Sequence, residues 1–190
     1  MQNYLEPKDQ KLFFKIHKNL LLFVNQKIKS SANFNDLSDW GNYKDFVDDI
    51  IFLRNHLFKN KDLIDQFIAA NPANFNDEEL AITKNWKSAI IGDFILFKHL
   101  KNCSIFLGGE GKKAYGVIGL MGNIDEVLPK DRLPSPVSTA IMPFSGRIIY
   151  DGLFEAWNAV LGNGYIRSFT DDYNRIKKGS GIIMTLEEEK

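Results

Sequence analysis

The sequence predicts an α+β fold: a helical first half, then a small, strongly bent antiparallel sheet or SH3-like barrel with one short helix. Two observations carry this. Up to about residue 91 the apolar residues recur at spacings of three and four. From Gly92 onward, short runs of β-formers alternate with glycine-containing turns short enough to join antiparallel neighbours. With 190 residues, 44% of them hydrophobic, the chain can bury a core, and residues 1–91 and 92–190 are expected to pack as one globular unit.

In "KDQKLFFKIHKNLLLFVNQKIK" the residues Leu12, Phe13, Ile16, Leu20, Phe23, Val24 and Ile28 form one stripe, with lysines on the remaining face. A second helix is expected in "NYKDFVDDIIFLRNHLFKN", where Phe46, Ile50, Leu53 and Leu57 align. A third, "KDLIDQFIAA", stops at Asn71-Pro72, because a residue before proline resists the α region. The pentapeptide "ANFND" occurs at 32–36 and again at 73–77, but the residues after the two copies do not align, so both read as helix caps and not as a repeat. The second is the stronger cap. With Asn76 as N-cap, Glu79 falls at the capping-box position, Phe75 can staple onto Leu80, and a fourth helix should run from Asp77 to about Ile91.

Three β segments follow, Asp93 to Lys98, Ser104 to Leu107 and Ala114 to Leu120, parted by a Leu-Lys-Asn turn and a Gly-Gly-Glu-Gly turn. After a loop with three prolines, Ser145-Gly146 should fold "VSTAIMPF" and "GRIIYDGLF" into a hairpin. Pro143, lacking an N–H, then belongs at an edge or a bulge. "LFEAWNAVL" suits helix and strand equally. "TDDYNRIKKG" reads as a short helix with Thr170 as cap, acids first, bases last and Gly179 after its end, and "GIIMTL" as a closing strand.

Lys plus Arg and Asp plus Glu both number 24, and neither half of the chain carries a basic excess. Backbone-driven nucleic-acid binding needs such an excess, so the charge argues against it, although small barrels do bind single strands by stacking. One cysteine, Cys103, cannot form an internal disulfide, and with three scattered histidines it offers no metal-ligand spacing. No metal and no cofactor are expected. The first residues lack a signal-peptide pattern, and the apolar run Leu20 to Val24 is too short to span a bilayer, so the expectation is a cytoplasmic protein with no membrane partner.

The stretches "YGVIGL", Leu133-Pro134, "PFSGRIIYDGL", "GNGYIRSF" and "DDYNRIKKGSGIIMTL", with "NWKSAIIGDFILFKHLKNCSIFL", resemble a family of uncharacterised bacterial proteins. Some relatives in that family carry an appended SEC-C zinc motif. The resemblance spans roughly residues 70–186, with a weaker helical match before them. It implies a bacterial cytosolic protein and no mechanism. No Cys-rich tail follows Leu186, so a zinc-borne function is not carried over.

No catalytic set is assembled in the sequence. His99 and Cys103 stand four apart across a proposed turn, but no third group orients them. Ser145 lacks a nucleophile elbow, and "GGEGKK" lacks the Walker spacing. The carboxylate pairs are adjacent in sequence and do not face each other on a helix. Arg147 and Asp151 remain, on one face of a strand, as a rim ion pair or, joined by Tyr115, as a ligand site at a barrel mouth. The reading is therefore a non-enzymatic binding or regulatory module for a protein or small-molecule partner. The alternatives are an enzyme with a cryptic site near Tyr115, Arg147 and Asp151, and a nucleic-acid-binding small barrel.

Overall fold

Proline suits a first helical turn, where its missing N–H would have no partner, and Pro7 opens α1 (Pro7–Ile28). In the computed structural model, which describes residues 3–30, 47–157 and 161–187, this helix buries Phe13, Ile16, Leu20, Phe23 and Val24, members of the expected stripe. Against it pack α2 (Val47–Lys59) and α3 (Asp62–Ala70). Phe46 and the first "ANFND" lie outside the described residues.

The second "ANFND" caps α4 (Asp77–Asn85) as its residues predict. The Glu79 N–H donates to Asn76 Oδ1 at 2.9 Å, and the Asn76 N–H donates to Glu79 Oε2 at 3.1 Å. Phe75 packs edge-on against Phe67 of α3, ring centroids 5.5 Å apart. The helix ends sooner than expected. A single 3-10 turn, Trp86–Ser88, follows it, and the next element is already a strand from Ile90. Ile90 and Ile91 are β-branched and do better paired in a sheet than in a last helical turn.

The second half holds β1 (Ile90–His99), β2 (Ser104–Gly108), β3 (Lys113–Ile118), a short α5 (Ile124–Val127), β4 (Ser135–Phe144) and β5 (Arg147–Ala156). The α+β organisation is as the sequence predicts. The strongly curved sheet closes in the order β1-β2-β3-β5-β4. It is mixed instead of purely antiparallel, because β3 and β5 run parallel, with Val117 opposite Ile148 and Ile118 opposite Ile149. That connectivity is the one found in OB-type Greek-key barrels and differs from an SH3-like one. The chain crosses the barrel end through α5, so that β4 pairs with β1 and β5 is left beside β3.

The turns follow their glycines. Ser145 and Gly146 both take positive φ, 49° and 71°, the two-residue hairpin turn whose twist matches the strands it joins. Pro143 lies beyond the last β1 partner of β4, Ile141, where no N–H is needed on that side.

Helix α6 (Asn163–Lys178) is twice the expected length. It begins after Gly162, and Thr170, expected as its cap, sits mid-helix with its hydroxyl donating to the Ile166 carbonyl at 2.8 Å. The ambiguous "LFEAWNAVL" is strand as far as Ala156, while residues 158–160 lie outside the described ones. "GIIMTL" makes one bridge and no strand. Its Ile183 N–H donates to Ala114 O at 2.8 Å, and its carbonyl accepts from the Gly116 N–H at 2.9 Å. A single hydrophobic cluster joins helices and barrel, with Phe13 of α1 meeting both Trp86 and Phe144. No described helix is long and apolar enough to cross a membrane.

Candidate functional site

Asp151 does not pair with Arg147. Four residues along a strand span about 13 Å at roughly 3.3 Å each, too far for an ion pair within one face. Its partner is Arg54 of α2, whose Nη1 donates to Asp151 Oδ2 at 2.8 Å. Asp151 sits at a bulge: Thr139 of β4 faces Phe154 and Ile141 faces Tyr150, so three residues of β5 answer one of β4. Gly152, with φ of 89°, supplies the left-handed backbone this needs, and the Leu153 N–H donates to Asp151 Oδ1 at 3.2 Å.

The pair is buried, with the two side chains 4% and 0% exposed. Burial pushes the Asp151 carboxyl up to about 6, opposed by the Arg54 charge and the hydrogen bonds. His17, stacked on Phe13 nearby, is held down to about 3, first by burial and then by Arg54. This constellation fastens the helices to the barrel. None of Arg54, Asp151 and His17 lines the cavities described below.

Tyr115 is buried and meets Phe94 edge-on, ring centroids 6.0 Å apart. It lines a cavity of about 540 Å³ between α3, the 3-10 turn, β3 and residues 183–187. Arg147 lines a different cavity of about 160 Å³ beside Pro143 and Asn85. The two cavities share Thr185 and Leu186 in their linings, and Asp151 lines neither, so no one described cavity holds all three residues.

His99 and Cys103 do not pair either. The His99 ring nitrogens lie 2.7 Å from Ser104 Oγ and 2.9 Å from the Leu128 carbonyl, and burial raises the pKa of the Cys103 thiol, the reverse of nucleophile activation. Among the described residues, no three His, Cys, Asp or Glu side chains are grouped to hold a metal ion.

A groove that the candidate residues do not touch runs between the barrel and α6. Tyr173 and Ile176 anchor the second half of that helix, Tyr173 against Phe97 at 5.3 Å and beneath the Lys98 ammonium at 3.9 Å. Arg175 donates to the Gly111 carbonyl at 2.9 Å and to Asp172 at 2.8 Å, tying the helix to the β2–β3 turn. The first half of the helix stands off, leaving a space of about 520 Å³ walled by Phe94, Trp157, Tyr165 and Phe169. Trp157 and Tyr165 are 52% and 66% exposed. Asp93, Glu110 and Asp172 supply three carboxylates, and no Lys, Arg or His is among the described lining residues.

The sequence held a signal for this groove. Tyr165, Phe169, Tyr173 and Ile176 recur at helical spacing, a stripe missed when the helix was expected to start at Thr170. Comparison with known proteins gives no match to a family model, to a curated protein or to a solved structure.

Proposed function

We propose that this protein is a non-enzymatic docking module, and that the groove between the barrel and α6 receives a basic, apolar segment of a partner protein. The observation that carries this is the groove's chemistry: four aromatic rings and three carboxylates around one opening, with no cation on its described walls, although Lys112 and Arg175 just outside pair with Glu110 and Asp172. Aromatic faces attract ammonium and guanidinium groups, and aromatic rings dominate the energy of protein interfaces. Covering exposed apolar rings removes them from water, which favours association, although buried area by itself does not set affinity. Acids beside rings favour a partner that brings Lys or Arg together with apolar side chains.

Catalysis has less support. The perturbed carboxyl, Asp151, is sealed and ion-paired, and the thiol Cys103 is held protonated. The nucleic-acid reading also has less. OB-type barrels bind strands on the β2–β3 face, and here every residue of β2, and β3 from Ala114 on, is buried, leaving no exposed ring there for a base to stack on.

A peptide array probed with the purified protein tests the proposal. The expected result is enrichment of peptides combining Lys or Arg with apolar residues, and a loss of affinity of about tenfold in Trp157→Ala, equal to about 1.4 kcal/mol. Enrichment of acidic peptides, or unchanged affinity in the Trp157 variant, contradicts it.

A further inference from the structure

The cavity lined by Tyr115 has the opposite character. Three lysines from three elements reach it: Lys61 at the start of α3, Lys87 on the 3-10 turn and Lys113 at the start of β3. The backbone of each is placed by its neighbours. Lys87 follows the fully buried Trp86, Lys113 is paired with Gly108 across the sheet, and the Lys61 carbonyl accepts the Ile64 N–H at 3.0 Å. Ile90, Tyr115, Ile183 and Leu186 contribute apolar side chains to the lining beside Ser88 and Thr185.

We propose that this cavity binds a small organic anion, its charged end toward the lysines and its apolar body against Tyr115. The chain as a whole is neutral, with 24 basic and 24 acidic residues, so the clustering is local. Glu187 is the one carboxylate among the described lining residues. Asp65 holds the Lys87 ammonium at 2.7 Å from outside the lining, which leaves a cationic excess at the mouth. With Lys87 held by Asp65 and Glu187 on the lining, Lys61 and Lys113 carry the uncompensated positive charge that a bound anion would meet. Lysine suits this role as a flexible point charge that meets phosphate or carboxylate oxygens without a fixed geometry.

The site is separate from the docking groove. The two cavities share no lining residue, and their tests are independent.

Titration calorimetry with inorganic pyrophosphate on the full chain tests the proposal. The expected result is saturable one-to-one binding that weakens with salt, with a loss of about tenfold in affinity for Lys61→Gln combined with Lys113→Gln. Lys178→Gln, an exposed lysine on α6, should leave affinity unchanged, as should Trp157→Ala in the groove. Where the double variant unfolds at a lower temperature than the wild type, Lys113→Gln alone serves, since that side chain is exposed. Absence of saturable binding to the wild type, or an equal loss in Lys178→Gln, overturns the proposal.

Discussion

The Arg54–Asp151 pair carries the sharpest single-residue consequences in this protein. Removing one partner leaves the other charged and buried, so Arg54→Met should lower stability to urea by about 3–5 kcal/mol. Arg54→Met combined with Asp151→Leu should lose less than Arg54→Met alone, because no orphaned charge remains. A double variant less stable than the single would show that the pair is not the link it is taken to be.

The same residues set two opposed pH dependences. Asp151, raised to about 6 from an ordinary 3.8, keeps a proton that the unfolded chain has lost. Its contribution is full below about 3.8 and is lost as pH rises through about 6. His17, lowered to about 3 from 6.5, behaves in the opposite sense: its contribution is full above about 6.5 and is lost as pH falls toward 3. In urea titrations across this range, His17→Leu should flatten the acid-side loss and Asp151→Asn the decline toward neutrality. Unchanged slopes would contradict both assignments. Sequence reading singled out Asp151 but not Arg54. The partners lie 97 residues apart, a separation that no local pattern reports.

Among the elements, those built by local chemistry were the legible ones. The capping box at Asn76 and Glu79, the Ser145-Gly146 hairpin and the stripe of α1 need only neighbours in sequence, and all three are present. Asn76→Ala should therefore cost about 1 kcal/mol in chemical unfolding, and no measurable loss would mean that the cap is dispensable. The elements misjudged were those decided by tertiary pairing. The parallel β3–β5 contact depends on a crossover, and the early end of α4 depends on Ile90 and Ile91 finding β4.

The bulge in β5 belongs to this scale as well. Gly152 combines a positive φ of 89° with a close approach, since an added Cβ would meet Leu120 Cδ2 at 3.0 Å. Gly152→Ala should destabilise by about 1–3 kcal/mol, measured by thermal or chemical unfolding. A neutral outcome would show that the bulge relaxes without strain.

At the scale of the whole molecule, a barrel braced by helices presents two cavities of opposite charge character. One, between the barrel and α6, is lined by aromatic rings and carboxylates; the other, between the barrel and α3, is lined by Tyr115 and three lysines. Of the candidate residues legible in the sequence, Tyr115 lines the second, Arg147 lines a smaller pocket and Asp151 lines neither. Only the α6 stripe of the groove is legible in the sequence; its other walls, from β1, β2, β4 and Trp157 after β5, come together through closure of the barrel.

Its role as the docking surface is tested most directly by NMR titration of the labelled protein with a basic, apolar peptide recovered from the array. The account predicts shifts concentrated at the Trp157 indole and at the amides of Gly111, Tyr165, Ser168 and Phe169. Shifts gathered instead around Lys113 and Tyr115, or none at saturating peptide, would contradict it.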